Sequence, residues 1–248
     1  MDRIQALINY VKLGQLAELK NALTQHPGDM HTQHSSGKSL LLLAAYYKQD
    51  AVAKELCSRG IEPDIYEATA LGDFGAVEKH IATRPSSIFT RHSDGTSLLG
   101  LATYFGHPRI VQLLLEYKAD PNQSSTSRAT VLPLHSAIAY KDPDCSYHLV
   151  KALLSGGANP NLVQRKNRTA LHLAVLKNRP KLAELLLERG ADIWVKDSDG
   201  QTAEEFAQTA QHQELCRIFA KNRVAIETEA FIDTQLLAAM ETGELPKC

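Results

Sequence analysis

The stretch GTSLLGLATYFGH, residues 95–107, has an earlier counterpart in GKSLLLLAAYYKQ, residues 37–49. Each runs from Gly and Ser through Leu and Ala into two aromatic residues, Tyr46 and Tyr47 in one and Tyr104 and Phe105 in the other. A shift of 58 residues aligns 13–63 with 71–121 and yields fifteen identities where about three are expected by chance, so this part of the chain is an internal duplication. The pairs include Leu13/Leu71, Gly14/Gly72, Pro27/Pro85, His34/His92, Gly37/Gly95, Ser39/Ser97 and Tyr46/Tyr104. Later the period shortens: RTALHLAVLKNRPKLAELLLERGADI, residues 168–193, matches the landmarks Thr202 and Ala207 at a distance of 33 residues. A unit of about 33 residues is the base period.

Within each unit the order is the same: a Gly-containing turn, a short Ala/Leu-rich helix, a break, a second helix such as RIVQLLLEY, and an ending such as KADPN or GGANPN. Leu113, Leu114 and Leu115 fall on adjoining faces of that second helix, which must therefore be covered from more than one side. One helix pair cannot supply that cover; stacked pairs can, which is the physical logic of a solenoid.

The segments LPLHSAIAY (132–140), TALHLAV (169–175), GANPN (157–161) and GADI (190–193) resemble the ankyrin-repeat family and its T-P-L-H-x-A signature. The resemblance implies an all-α solenoid of about seven helix-turn-helix repeats with short β-hairpin fingers, plus a helical C-terminal tail. The repeats are expected near 1–36, 37–64, 65–94, 95–124, 125–161, 162–194 and 195–222, making one solenoid over 1–222, with the tail over 223–248. It also implies that His135 and His172 are structural, bonding within and between turns.

With the family's Gly-His position between the two helices as a ruler, the successive repeats carry Gly14, Lys48, Gly72, Gly106, Lys141, Asn178 and Gln211. Two spacings depart from the period. Between Lys48 and Gly72 there is no room for a finger, which predicts a notch beside Tyr46 and Tyr47. Between Lys141 and Asn178 about four extra residues separate the helices of the fifth repeat, which predicts a bulging loop holding Pro143 and Tyr147. In the acidic tail, LLAAMETGEL (236–245) is similar to IYEATALGDF (65–74). That segment reads either as a closing cap or as the start of a further repeat.

Composition sets outer bounds. With 44% hydrophobic and 22% charged residues the chain can bury a core, and its formal charge of -1 offers no global attraction to nucleic acid or anionic membrane. With no signal peptide and no run near the length of a membrane span, we expect a cytoplasmic protein without membrane insertion, a secreted effector being the alternative; we also expect a monomer with no nucleic-acid partner. Cys57, Cys145, Cys216 and Cys248 lack metal-ligand spacing and read as reduced thiols. No nucleophile elbow, P-loop, HExxH or dinucleotide fingerprint is present, and the carboxylates of KADPN and KDPD sit at turns, where they cap helices. The expectation is a protein that is not an enzyme and needs no cofactor.

In the ankyrin pattern the two residues before Gly-His close the first helix and face the concave groove. By that alignment the groove carries Lys12 and Leu13, Tyr46 and Tyr47, Ala70 and Leu71, Tyr104 and Phe105, Ala139 and Tyr140, Leu176 and Lys177, then Thr209 and Ala210. Aromatic side chains bury large areas with few rotatable bonds and suit a binding face. The candidate protein-binding residues are therefore Tyr46, Tyr47, Tyr104, Phe105, Tyr140, Leu176 and Lys177, flanked by finger residues Lys38, Ser93, Asp94, Thr96 and Arg128. A basic cluster in the sixth repeat adds Arg165, Lys166 and Arg168 as a dock for an acidic segment. The function expected is binding of an unidentified protein partner, as an adaptor, inhibitor or effector similar to free-standing bacterial ankyrin-repeat proteins. The alternative is a targeting domain of a larger enzyme that continues beyond Cys248.

Overall fold

The computed structural model describes residues 3–125 and 131–242, with side chains through residue 228. The described residues form fourteen α-helices and no strand. Arg128 and Cys248 lie outside them, as does the matched end of the tail from Gly243 onward. The chain divides into two compact units, Met1–Asn159 and Pro160–Cys248.

The N-terminal unit holds five helix pairs: α1 (Arg3–Leu13) with α2 (Leu16–Gln25), α3 (Leu40–Tyr46) with α4 (Asp50–Ser58), α5 (Ile65–Leu71) with α6 (Phe74–Thr83), α7 (Leu98–Phe105) with α8 (Pro108–Glu116), and α9 (Pro133–Ala139) with α10 (Pro143–Ser155). The C-terminal unit holds α11 (Ala170–Leu176) with α12 (Pro180–Glu188), and α13 (Ala203–Thr209) with α14 (Gln213–Thr242). Helix α14 runs through position 222 without a break, so the tail continues the second helix of the seventh repeat.

Six of the seven ruler positions adopt the left-handed conformation: Gly14, Gly72 and Gly106, together with Lys48, Asn178 and Gln211. The short turn between paired helices demands positive φ, which glycine supplies without strain and other residues reach at a cost. Lys141 is the exception, and it precedes the insertion. There the structure corrects the expected bulge. Asp142 caps α10 by accepting from the Cys145 amide at 2.7 Å, and Pro143 occupies the first helical turn. The extra residues thus lengthen a helix to 13 residues where its counterpart α8 has nine, because a helix satisfies their backbone groups and a loop would not.

Caps begin the first helices as local chemistry dictates. Ser39 accepts from Leu42, Ser97 from Gly100, and Thr169 and Thr202 form capping boxes with His172 and Glu205. His172 turns its Nε2 to the Gln201 carbonyl at 3.1 Å, so this histidine is a structural link between the sixth and seventh repeats. At the same register in the third repeat stands Glu67, whose carboxylate accepts from the Asp64 amide and from the Ser39 hydroxyl.

The fingers shrink to single antiparallel bridges, Gln33 with Ser39, Arg91 with Ser97, Gln164 with Arg168 and Lys196 with Thr202. Leu19, Leu23, Leu40, Leu41 and Leu56 are buried completely between neighbouring pairs, as is Leu114 of α8. In the C-terminal unit Leu171, Leu186, Leu215 and Phe219 do the same.

Candidate functional site

In the N-terminal unit three of the turns between paired helices are each covered by a side chain of the next pair. Gln49 donates to the Lys12 carbonyl at 3.3 Å, His107 to the Ala70 carbonyl at 3.1 Å, and the Tyr140 hydroxyl to the Phe105 carbonyl at 3.2 Å. Each of these side chains lies over a left-handed glycine, Gly14, Gly72 or Gly106, where a Cβ would collide with it. Tyr140 is therefore placed as a strut between repeats, half-buried at the end of α9, instead of lying open along a groove.

Three of the other candidate aromatic residues, Tyr46, Tyr104 and Phe105, form one cluster. Tyr46 stands 5.6 Å from Tyr104 and 5.0 Å from Phe105, ring centre to ring centre, and Tyr104 stands 5.2 Å from Phe105. Tyr46 and Phe105 pack on buried Leu42, Ala70 and Leu101. Burial, with a smaller contribution from the Asp94 charge, pushes the Tyr46 phenol far above its ordinary value. Tyr47 and Tyr104 instead remain 47% and 55% exposed, and the Lys12 ammonium lies 5.7 Å from the Tyr47 ring centre. The strip is thus two-layered, with two rings sealing the helices and two presented to solvent.

The expected notch between fingers is closed, and this too is a correction. Six residues, 59–64, join α4 to α5 with no hairpin, yet the fingers on either side meet across the gap. Lys38 Nζ reaches Asp94 Oδ2 at 2.5 Å and sits 5.1 Å from the Tyr46 ring centre. A Cβ on Gly37 would stand 2.4 Å from Ser93 Oγ, so a larger residue here would have to displace the Ser93 side chain. Burial alone would raise the Asp94 carboxyl; the Lys38 ion pair and the hydrogen bonds from Thr96 and His92 outweigh it and hold that carboxyl well below the usual range. Lys38 and Asp94 therefore face each other.

In the C-terminal unit Leu176 and Lys177 are exposed at the end of α11. Of the basic cluster, Arg168 is committed to the fold: it pairs with buried Asp197 at 3.1 Å and lies over the Phe206 ring. Lys166 stands 3.7 Å from Asp199, and Arg165 is exposed.

Exposed Tyr117 lies outside the groove alignment, and so does a matched pair of exposed aromatic residues, Phe89 in the N-terminal unit and Trp194 in the C-terminal unit, at 63% and 57% exposure. They occupy the same register before SDG in IFTRHSDG (88–95) and IWVKDSDG (193–200), a signal present in the sequence. Beside Tyr104 lies a hollow of about 210 Å³, bordered by Tyr46, Gly100, Leu101, Leu132, Pro133 and Ser136. Among the described residues, no group of three or more His, Cys, Asp and Glu is placed to hold a metal, and no helix is long and apolar enough to cross a membrane.

Stacked helix pairs, left-handed turns at a fixed register and single-bridge fingers define the class of helical repeat solenoids. A family model described as ankyrin repeats matches residues 4–125 and 134–231, and the chain belongs to that family. Similar proteins include an ankyrin repeat protein of Acanthamoeba polyphaga mimivirus, 21% identical over 90% of this chain. Inversin of Canis lupus familiaris is 31% identical over 59% of it, and the transient receptor potential channel pyrexia of Drosophila melanogaster is 32% identical over 84%. The chain spans only 26%, 13% and 20% of the lengths of these three relatives. Ankyrin repeats are general protein-interaction modules.

Proposed function

We propose that this protein works by binding and not by catalysis, holding a polypeptide partner against the exposed aromatic face of its N-terminal unit. The supporting observation is the pair Tyr47 and Tyr104: large rings left about half exposed, with Tyr104 packed against the partly buried rings of Tyr46 and Phe105. Rigid, pre-positioned aromatics lose little entropy on binding, which favours them as anchors. The role is that of an adaptor, inhibitor or effector, and the protein acts as a monomer in the cytoplasm.

The test is comparative capture from source-cell lysate, with bound proteins identified by mass spectrometry, using wild type and the Tyr47→Ala/Tyr104→Ala variant. Phe105 and Tyr140 are left intact because both are engaged in packing. A partner retained equally by folded variant and wild type would remove the aromatic face from the reading.

A second reading has its own support in the small share of each relative that this chain covers: the module serves as the targeting part of a longer protein, including an enzyme. Intact mass measurement of the native protein separates the two.

A further inference from the structure

Gly100 is the unusual residue of α7. The duplication pairs it with Leu42 of α3, which follows the same kind of serine cap and is buried against Ala70 and Leu101. A glycine inside a helix costs stability relative to alanine, and is kept where something must approach closely. The nearest atoms to a Cβ at Gly100 belong to Ser97, at 3.2 Å, and Thr96, at 3.9 Å, so no neighbouring helix demands the glycine. What the missing side chain leaves is the hollow of about 210 Å³ between α7 and α9, floored by Leu101, Leu132 and Pro133 and walled by Tyr46 and Tyr104. Its size is below the ~300–1,000 Å³ of typical small-molecule sites and suits a single bulky side chain.

Charge indicates what surrounds that side chain. The first helices of the N-terminal unit, α1, α3, α5, α7 and α9, contain one carboxylate, Glu67, which is buried. Lys12 closes α1 and exposed Lys48 follows α3. A partner carrying carboxylates meets complementary charge here and no exposed like charge from these helices.

We propose that the hollow at Gly100 is the anchor pocket of the binding face, and that its occupant is an extended acidic segment of a partner polypeptide inserting one bulky apolar side chain, Leu, Met, Ile or Phe. The proposal rests on the aromatic-face reading above and adds the chemistry of the partner. Tyr104 then contacts both the inserted side chain and the adjoining segment, while Lys12 and Lys48 attract the flanking carboxylates.

The probe is a library of short random peptides displayed on phage and selected on the full chain, with affinities of the enriched peptides measured by fluorescence anisotropy. Enriched peptides should share one bulky apolar residue beside Asp or Glu, and should weaken with added salt. Changing that residue to Ala, or the protein by Gly100→Leu, should weaken binding by about tenfold or more. Gly100→Leu should melt no lower than wild type, since Leu42 occupies the equivalent site. Gly100→Ala intrudes less and should give a smaller loss, which keeps the test decisive if the larger side chain disturbs folding. Peptides lost on Tyr47→Ala but indifferent to both Gly100 variants would overturn the pocket and leave the aromatic face standing. Failure to enrich any peptide sensitive to these positions would overturn both.

Discussion

Lys38 and Asp94 form an ion pair between two fingers 56 residues apart in sequence, across a repeat that has no finger of its own. Two neighbouring fingers close directly on each other, and their side chains are largely shielded from solvent. Asp94→Asn should lower stability by about 1–2 kcal/mol, between the values typical of exposed and buried pairs, as read by urea unfolding. The sign with pH follows from the depressed carboxyl. An unfolded Asp94 takes up its proton near 3.8, the folded one at lower pH, so the pair's contribution is complete above 3.8 and is lost as pH falls below it. Wild-type and variant stabilities should converge in acid; a gap that stays constant would remove the ion pair as its cause.

Glu67 should behave oppositely. Burial, its largest influence, raises the carboxyl above 4.5 despite the hydrogen bonds from Ser39 and the Asp64 amide. The folded state therefore holds this proton more tightly than the unfolded state, and stability falls as pH rises from 4.5 through the folded value. Glu67→Gln removes that dependence, so its stability relative to wild type should improve from mildly acidic to neutral pH. Urea titrations at the two conditions decide it, and a relative stability that does not move would contradict the assignment.

Leu114 is fully buried in α8 beneath its neighbours, whereas Tyr104 is more than half exposed. Leu114→Ala should cost about 2–5 kcal/mol through the cavity it leaves, while Tyr104→Ala should cost less than about 1 kcal/mol. Thermal unfolding of the two variants under one set of conditions tests the division between core and presented face.

The left-handed turns make paired predictions. Lys48 holds φ 56°, a conformation glycine adopts freely, so Lys48→Gly should stabilise the fold by up to about 1 kcal/mol. Gly106 holds φ 79° with the Tyr140 ring 2.1 Å from where a Cβ would stand, so Gly106→Ala should destabilise by more than about 1 kcal/mol. Equal shifts in melting temperature of the same sign would refute the turn assignment.

The period and the helix pairs could be read from residue order and, with the ankyrin pattern as a ruler, so could the turn positions between paired helices, because each depends on chain neighbours; the left-handed backbone at six of these turns and the serine and threonine caps are local as well, but came from the structure. The register shared by Phe89 and Trp194 was equally local. Asp142 and Pro143 carried a helix-start signal, and an insertion count alone turned it into a bulge. What needed the fold was every relation between elements that are distant in sequence. A missing hairpin became a Lys38–Asp94 closure because two fingers could approach at Gly37. Tyr140 became a strut because its hydroxyl reaches Phe105. The hollow beside Gly100 exists only when α7 and α9 stand side by side, since an absent side chain acquires a shape from the neighbours that fail to fill it.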